Sequence, residues 1–160
     1  MNKKYYQEVD LLISHSQIQV RSRPFDEALS QWGKVNIEQG AVIYKDYVIF
    51  DPLPEDSFGA NIYLAVENKF EMDEKSQRCI VVPFYITNRY NLEVASASEK
   101  FKIELNLEFD LYSLYYEVCE GEEIFYKLTF VGSEPPVTPE YLLDDPWGGE
   151  INKTLMFGKV

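Results

Sequence analysis

The stretch DLYSLYYEVCEGEEIFYKLTFV, from Asp110 to Val131, decides the fold. Leu111, Ser113, Tyr115, Glu117 and Cys119 fall on one face, and Tyr112, Leu114, Tyr116 and Val118 on the other. That two-residue period belongs to a strand, not a helix. Glu120-Gly121-Glu122-Glu123 supplies a turn, and Ile124 to Val131 returns as the partner strand of a hairpin.

Upstream, the same signal repeats at short intervals. Cys79 to Thr87 is dense in β-branched and aromatic residues, with Pro83 in its middle. Proline cannot donate to a ladder, so this strand is expected to lie at an edge or carry a bulge. Leu92 to Ala97, Lys100 to Leu105, Ala60 to Val66 and Val9 to Ile13 read as further strands. Ala41 to Phe50 reads as a strand or a hairpin pinched near Lys45-Asp46. Ile18 and Val20 alternate with Gln17, Gln19 and Arg21, the pattern of a half-exposed strand. Asp26 is placed to cap a short helix, Glu27 to Trp32, stopped by Gly33; a second turn, Val35 to Gln39, ends at Gly40. Pro52 and Pro54 mark a loop, and Glu67 to Ser76 a charged turn. Residues 1–8 read as an N-terminal extension, residues 132–153 as an acidic, proline-containing tail, and Thr154 to Phe157 as a last short strand. The expected fold is an all-β sandwich of about eight to ten mostly antiparallel strands with one short helical insertion, one domain over 1–160.

Composition narrows the function. Apolar residues make up 46% and aromatics 15%, too much for a disordered acidic chain. The net charge is -12, and from Phe101 onwards twelve acids stand against four bases. Such a field repels nucleic acid and anionic membrane and speeds encounter with cationic partners; no basic stripe offers direct nucleic-acid binding. Cys79 and Cys119 sit in strand-like runs at no metal-ligand spacing, so they read as buried free thiols. Met1 to Glu8 has no apolar segment behind its two lysines, and no run is long enough to span a bilayer. The expected location is cytoplasmic.

Catalytic chemistry finds little to work with. His15 is the single histidine and lies between two serines, a surface or capping position. One His and two distant Cys do not make a zinc site, and the eight glycines form no phosphate loop. Asp144-Asp145, Asp51 with Asp56, and Glu122-Glu123 could each hold calcium or act as acid and base, but none has EF-hand spacing. The expectation is a binding protein without cofactor or metal, not an enzyme. A calcium- or small-ligand-binding sandwich is the alternative, and a carboxylate hydrolase a third. Carboxylates and tyrosines together suit a protein-binding face, the tyrosines giving buried area and the acids steering.

The order of segments adds a resemblance. "LLISHSQIQV", a lone tryptophan followed by "IEQGAVIY", then "IVVPFYIT", "LEVASASEKFKIEL" and "DLYSLYYEV" resembles the competence protein J family, from about Val9 onwards. The closing "YKLTFVGSEPPVTPEYLLDDPWGGEINKTLMFGKV" is similar to the carboxyl end of longer bacterial relatives. The resemblance implies an inhibitor, possessing no catalytic residues, of a metal-dependent, sequence-nonspecific nuclease that is secreted or membrane-associated. An acidic protein plugging a basic DNA cleft agrees with the charge. The expected contact surface is Glu120, Glu122 and Glu123 on the hairpin turn with Asp144 and Asp145 near Trp147: carboxylates in place of phosphates, and the indole as an anchor. An edge strand near Pro83 could also pair with a second copy.

Overall fold

The computed structural model describes residues 5–13, 17–53 and 59–160. His15 and Asp56 lie outside them, and with them the capping histidine and the Asp51–Asp56 pair. In chain order the strands are β1 (Tyr6–Leu12), β2 (Ile18–Ser22), β3 (Ala41–Tyr44), β4 (Tyr47–Phe50), β5 (Gly59–Glu67), β6 (Ser76–Tyr85), β7 (Leu92–Ala95), β8 (Lys100–Lys102), β9 (Leu111–Glu120), β10 (Ile124–Gly132) and β11 (Glu140–Tyr141). One helix, α1 (Lys34–Gln39), precedes β3.

The strands form two layers, a six-stranded sheet in the order β1-β5-β10-β9-β6-β11 and a five-stranded sheet in the order β3-β4-β2-β7-β8. Pairing is antiparallel except between β5 and β10. The hairpin expected from the sequence is β9–β10, with Glu120 opposite Ile124 and Leu114 opposite Phe130. Its alternation fixes the core. Tyr112, Leu114, Tyr116 and Val118 meet Tyr126, Leu128 and Phe130 on the inward face, and Ile18, Val20, Val48, Phe50 and Val94 oppose them from the second sheet. All-β sandwich is the architecture that buries both apolar faces.

Pro83 does sit where a ladder is open. β9 lies on one side of β6, but on the other β11 reaches only Ile80 and Val81. The Leu142 amide bonds the Cys79 carbonyl and the Tyr85 amide bonds the Lys45 carbonyl on that side, so the missing Pro83 donor falls in the gap between them.

Four expectations need correction. β2 is not half-exposed: all five of its residues are buried. The segment before β3 folds over its outer face, where Leu29 and Trp32 pack on Val42, Tyr47 and Ile49. There Arg21 pairs with Glu93 at 2.9 Å and bonds the Gln19 side chain, so the polar residues are satisfied without water. The helix expected over Glu27–Trp32 is a single 3-10 turn, Ala28–Ser30, begun by Asp26, whose carboxylate accepts the Ala28 amide at 2.9 Å. Tyr6 to Glu8, read as an extension, form the start of β1, and of Thr154 to Phe157 only Thr154 pairs, in one bridge to Glu140.

Candidate functional site

One end of the six-stranded sheet gathers the acids that the sequence singles out. β9 runs out at Glu120 and turns through Gly121, whose amide bonds the Glu123 carbonyl at 3.1 Å. The Glu120 amide bonds the Lys75 carbonyl, which sets the hairpin tip beside the turn that opens β6. On the far side of β6 the chain leaves β11 and reaches Asp144 and Asp145 at the same end. Glu120, Glu122, Glu123 and Asp144 are exposed. The three glutamates form no ion pair among the described residues. Asp144 also accepts the Ile151 amide at 2.8 Å, which holds its loop in shape.

Asp145 differs. Its side chain is 0% exposed and meets Arg78, itself 1% exposed, through two bonds: Nε to Oδ2 at 2.7 Å and Nη2 to Oδ1 at 3.1 Å. The Trp147 and Gly149 amides donate to the same carboxylate. Asp145 therefore organises the loop and is not presented to a partner. Trp147 is half-buried, its ring 5.9 Å from the Arg78 guanidinium, and Tyr141 covers that cation from 5.3 Å. So four of the six expected contact residues are exposed acids forming a rim at this end, Asp145 belongs to its foundation, and Trp147 is half-buried beside it.

Sequence reading passed over Arg78, although a signal was there. Arg78 shares the parity of Ile80, Val82 and Phe84, all in the core, so its side chain had to point inward. It reaches the carbonyl of Gln39, and α1 ends on Gly40 with φ 80°, a left-handed turn natural to glycine. A Cβ at Gly40 would stand 2.3 Å from the Arg78 guanidinium, so position 40 needs glycine for space as well.

The family model for Competence protein J (ComJ) matches residues 10–131. The chain belongs to the competence protein J family. Among solved structures, the crystal structure of ComJ from Bacillus subtilis, an inhibitor of the DNA-degrading activity of NucA, is similar to it with a TM-score of 0.67 and 19% identity. That match covers 83% of this chain and all of the other. No curated protein matches significantly. Glu120, Glu122 and Glu123 of the hairpin turn lie inside the family's span, whereas Asp144, Asp145 and Trp147 lie beyond it, in residues 132–160. Those residues are built into the sandwich. The Gln39 side chain bonds both the carbonyl and the amide of Met156, and the Asn36 side chain bonds the Gly158 carbonyl and the Val160 amide.

The outer face of the six-stranded sheet carries a second polar group. Glu117 is fully buried there beneath the turn around Asp73, and Cys79 lies opposite it on β6. One of its oxygens accepts the Asp73 amide at 2.9 Å; the other makes no hydrogen bond within distance limits among the described residues. Burial raises its carboxyl above the usual range, despite the Asp73 amide and the Lys127 charge. The neighbouring Asp73 is lowered, first by the Lys75 amide and then by Lys127 at 3.2 Å. Both cysteines are buried and free, as expected from the sequence. Burial, with Glu117 next, pushes the Cys119 thiol up to about 12 and the Cys79 thiol further in the same direction, so both stay protonated and poorly nucleophilic. No group of three or more His, Cys, Asp or Glu among the described residues is placed to hold a metal ion, and no described helix is long and apolar enough to cross a membrane.

Glu117 gives a pH-dependent expectation. Its folded value lies above its unfolded one, so the folded state holds the extra proton. The stability from that proton is complete below the unfolded carboxylate value and is lost as pH rises towards the raised folded value. Glu117→Gln removes this loss. Melting curves should show the variant about 1 kcal/mol more stable near pH 8 and level with the parent near pH 4. A constant difference across that range would contradict the assignment.

Proposed function

We propose that this protein inhibits a DNA-degrading nuclease by laying its acidic rim, Glu120, Glu122, Glu123 and Asp144, across the partner's DNA cleft. Membership of the competence protein J family carries the reading, and the rim supplies its physical means. A nuclease that is indifferent to sequence holds DNA by the phosphates, through a basic surface. Four exposed carboxylates at one end of a rigid sandwich offer that surface the same charge without a bond to cut. The net charge of -12 adds long-range steering to the encounter. Trp147 stands beside the rim as an apolar contact. In this reading the partner is basic and metal-dependent, and the inhibitor contributes no catalytic group, metal or cofactor.

The test is a native pull-down from the source organism followed by DNA degradation by the retained nuclease, with and without added protein. A stoichiometric nuclease whose activity falls is the expected result. Charge reversal at Glu120, Glu122, Glu123 and Asp144 together should slow association at least about tenfold at low salt and flatten its salt dependence. No retained nuclease and untouched cleavage would end the reading. Full inhibition by the charge-reversed variant would move the contact surface elsewhere.

A further inference from the structure

The edge of the six-stranded sheet opposite β11 is β1, and no described strand pairs with its outer side. Strand parity follows from two bonds. The Val66 amide bonds the Tyr5 carbonyl, so odd-numbered residues of β1 pair with β5. The Leu12 amide instead bonds the Glu99 carboxylate at 2.7 Å, so even-numbered residues face outward. Tyr6, Glu8 and Asp10 thus turn both N–H and C=O away from β5, and no described residue pairs with these groups. Seven consecutive residues hold an unbroken register against β5. Both ends of this edge are fixed, by Glu99 at Leu12 and by the Gln7 side chain, which bonds the Lys102 carbonyl and the Glu104 amide.

Long, flat, unpaired edges are templates for another strand, and proteins blunt them with proline, lysine, bulges or cover. β1 has no proline, lysine or bulge. It carries two exposed carboxylates, Glu8 and Asp10, and an exposed tyrosine, Tyr6, on one face. Tyr6 is 53% exposed and begins a row of rings, 6.3 Å to Tyr63 and 5.6 Å from there to Phe125. Phe125 is the second residue of β10 and packs beside Gly121 of the acidic hairpin turn, so this face continues into the rim.

The charges select the occupant. A second copy pairing antiparallel about Glu8 would set Glu8 against Glu8 and Asp10 beside Tyr6, with four carboxylates in one small patch, which is destabilising. An extended segment with lysine or arginine at alternate positions would meet Glu8 and Asp10 with opposite charges and lay its aliphatic stems on Tyr6 and Tyr63. We propose that the outer edge of β1, Tyr6 to Asp10, docks an extended, basic segment of the nuclease partner as a further strand of the sheet. This rests on the inhibitor reading and adds a backbone-directed contact to the charged rim.

Proline separates the possibilities, because no described residue accepts the outward amides of Glu8 and Asp10. Glu8→Pro should melt within a few degrees of the parent and yet inhibit the co-purified nuclease at least tenfold more weakly. In the wild-type complex, amide exchange at Glu8 and Asp10 should slow at least tenfold relative to the free protein, a readout that survives if the proline variant fails to fold. Full inhibition by folded Glu8→Pro, or unchanged exchange at both amides in the complex, would overturn the docking strand and leave the inhibitor reading standing. Protection of these amides in the free protein that grows with concentration would assign the edge to a second copy and overturn it too. A wild-type protein that inhibits no nuclease would remove both proposals together.

Discussion

Asp145→Ala is expected to cost about 3–5 kcal/mol, the usual loss when one partner of a buried ion pair is removed. For a chain of this size that lowers the melting temperature by roughly 10 °C. The reason is what remains. Arg78 stays charged and 1% exposed, with a single 3.4 Å bond to the Gln39 carbonyl and two rings in place of its carboxylate. The Trp147 and Gly149 amides lose their acceptor as well. Replacing both charges, as in Arg78→Met with Asp145→Leu, should recover part of the loss, since no cation is then stranded in the core. The non-additivity, measured by urea denaturation of the two single variants and the double, should reach 1–3 kcal/mol, in the range of directly coupled residues. A loss below about 1 kcal/mol for Asp145→Ala would show that the pair is not buried as described. The effect bears on the proposed contact surface because the same carboxylate shapes the loop that carries Asp144 and Trp147.

What the sequence revealed, and what it hid, divides along one physical line. Strand parity is local, so the β9–β10 hairpin, its turn and its inward residues were legible in the alternation of Tyr112 to Val118. The exposed glutamates of the turn were legible for the same reason, because a tight turn has no inside. The covering of a sheet's second face is not local. Arg21 and Gln19 read as solvent-facing until the segment at 25–39 closes over them, and the parity that sets Glu117 beside Cys119 does not say that the turn at Asp73 buries it. Asp145 read as one half of an exposed acidic pair, because its partner lies 67 residues away on β6. Likewise the hold of Gln39 on Met156 spans 117 residues and leaves no periodic trace. The edge at β1 was hidden for a simpler reason: two lysines and two tyrosines at the start of a chain give no alternation from which to begin a strand.

Phe50→Ala carries the other large expected effect, about 3–5 kcal/mol, with the urea slope unchanged. Phe50 closes β4 in the five-stranded sheet, and its ring stacks on Tyr116 of the opposite sheet at 4.2 Å and 9°. Tyr116 in turn lies parallel to Tyr126 at 6.2 Å. These rings hold the two layers together at the end that carries the rim. They are fully buried, so truncation leaves a cavity that flat neighbouring rings cannot fill by changing rotamer. The tyrosine hydroxyls are spent on backbone, Tyr116 donating to the Asp51 carbonyl at 3.0 Å and Tyr126 to the Pro52 carbonyl at 2.9 Å. Tyr116→Phe loses one such bond and keeps the ring, and should cost only about 1 kcal/mol. That contrast is the discriminating measurement. If the two substitutions cost the same, the hydroxyl bonds would be the tie between the sheets. If Phe50→Ala costs several times more, the stacked rings are, and the acidic rim owes its rigidity to the packing beneath it.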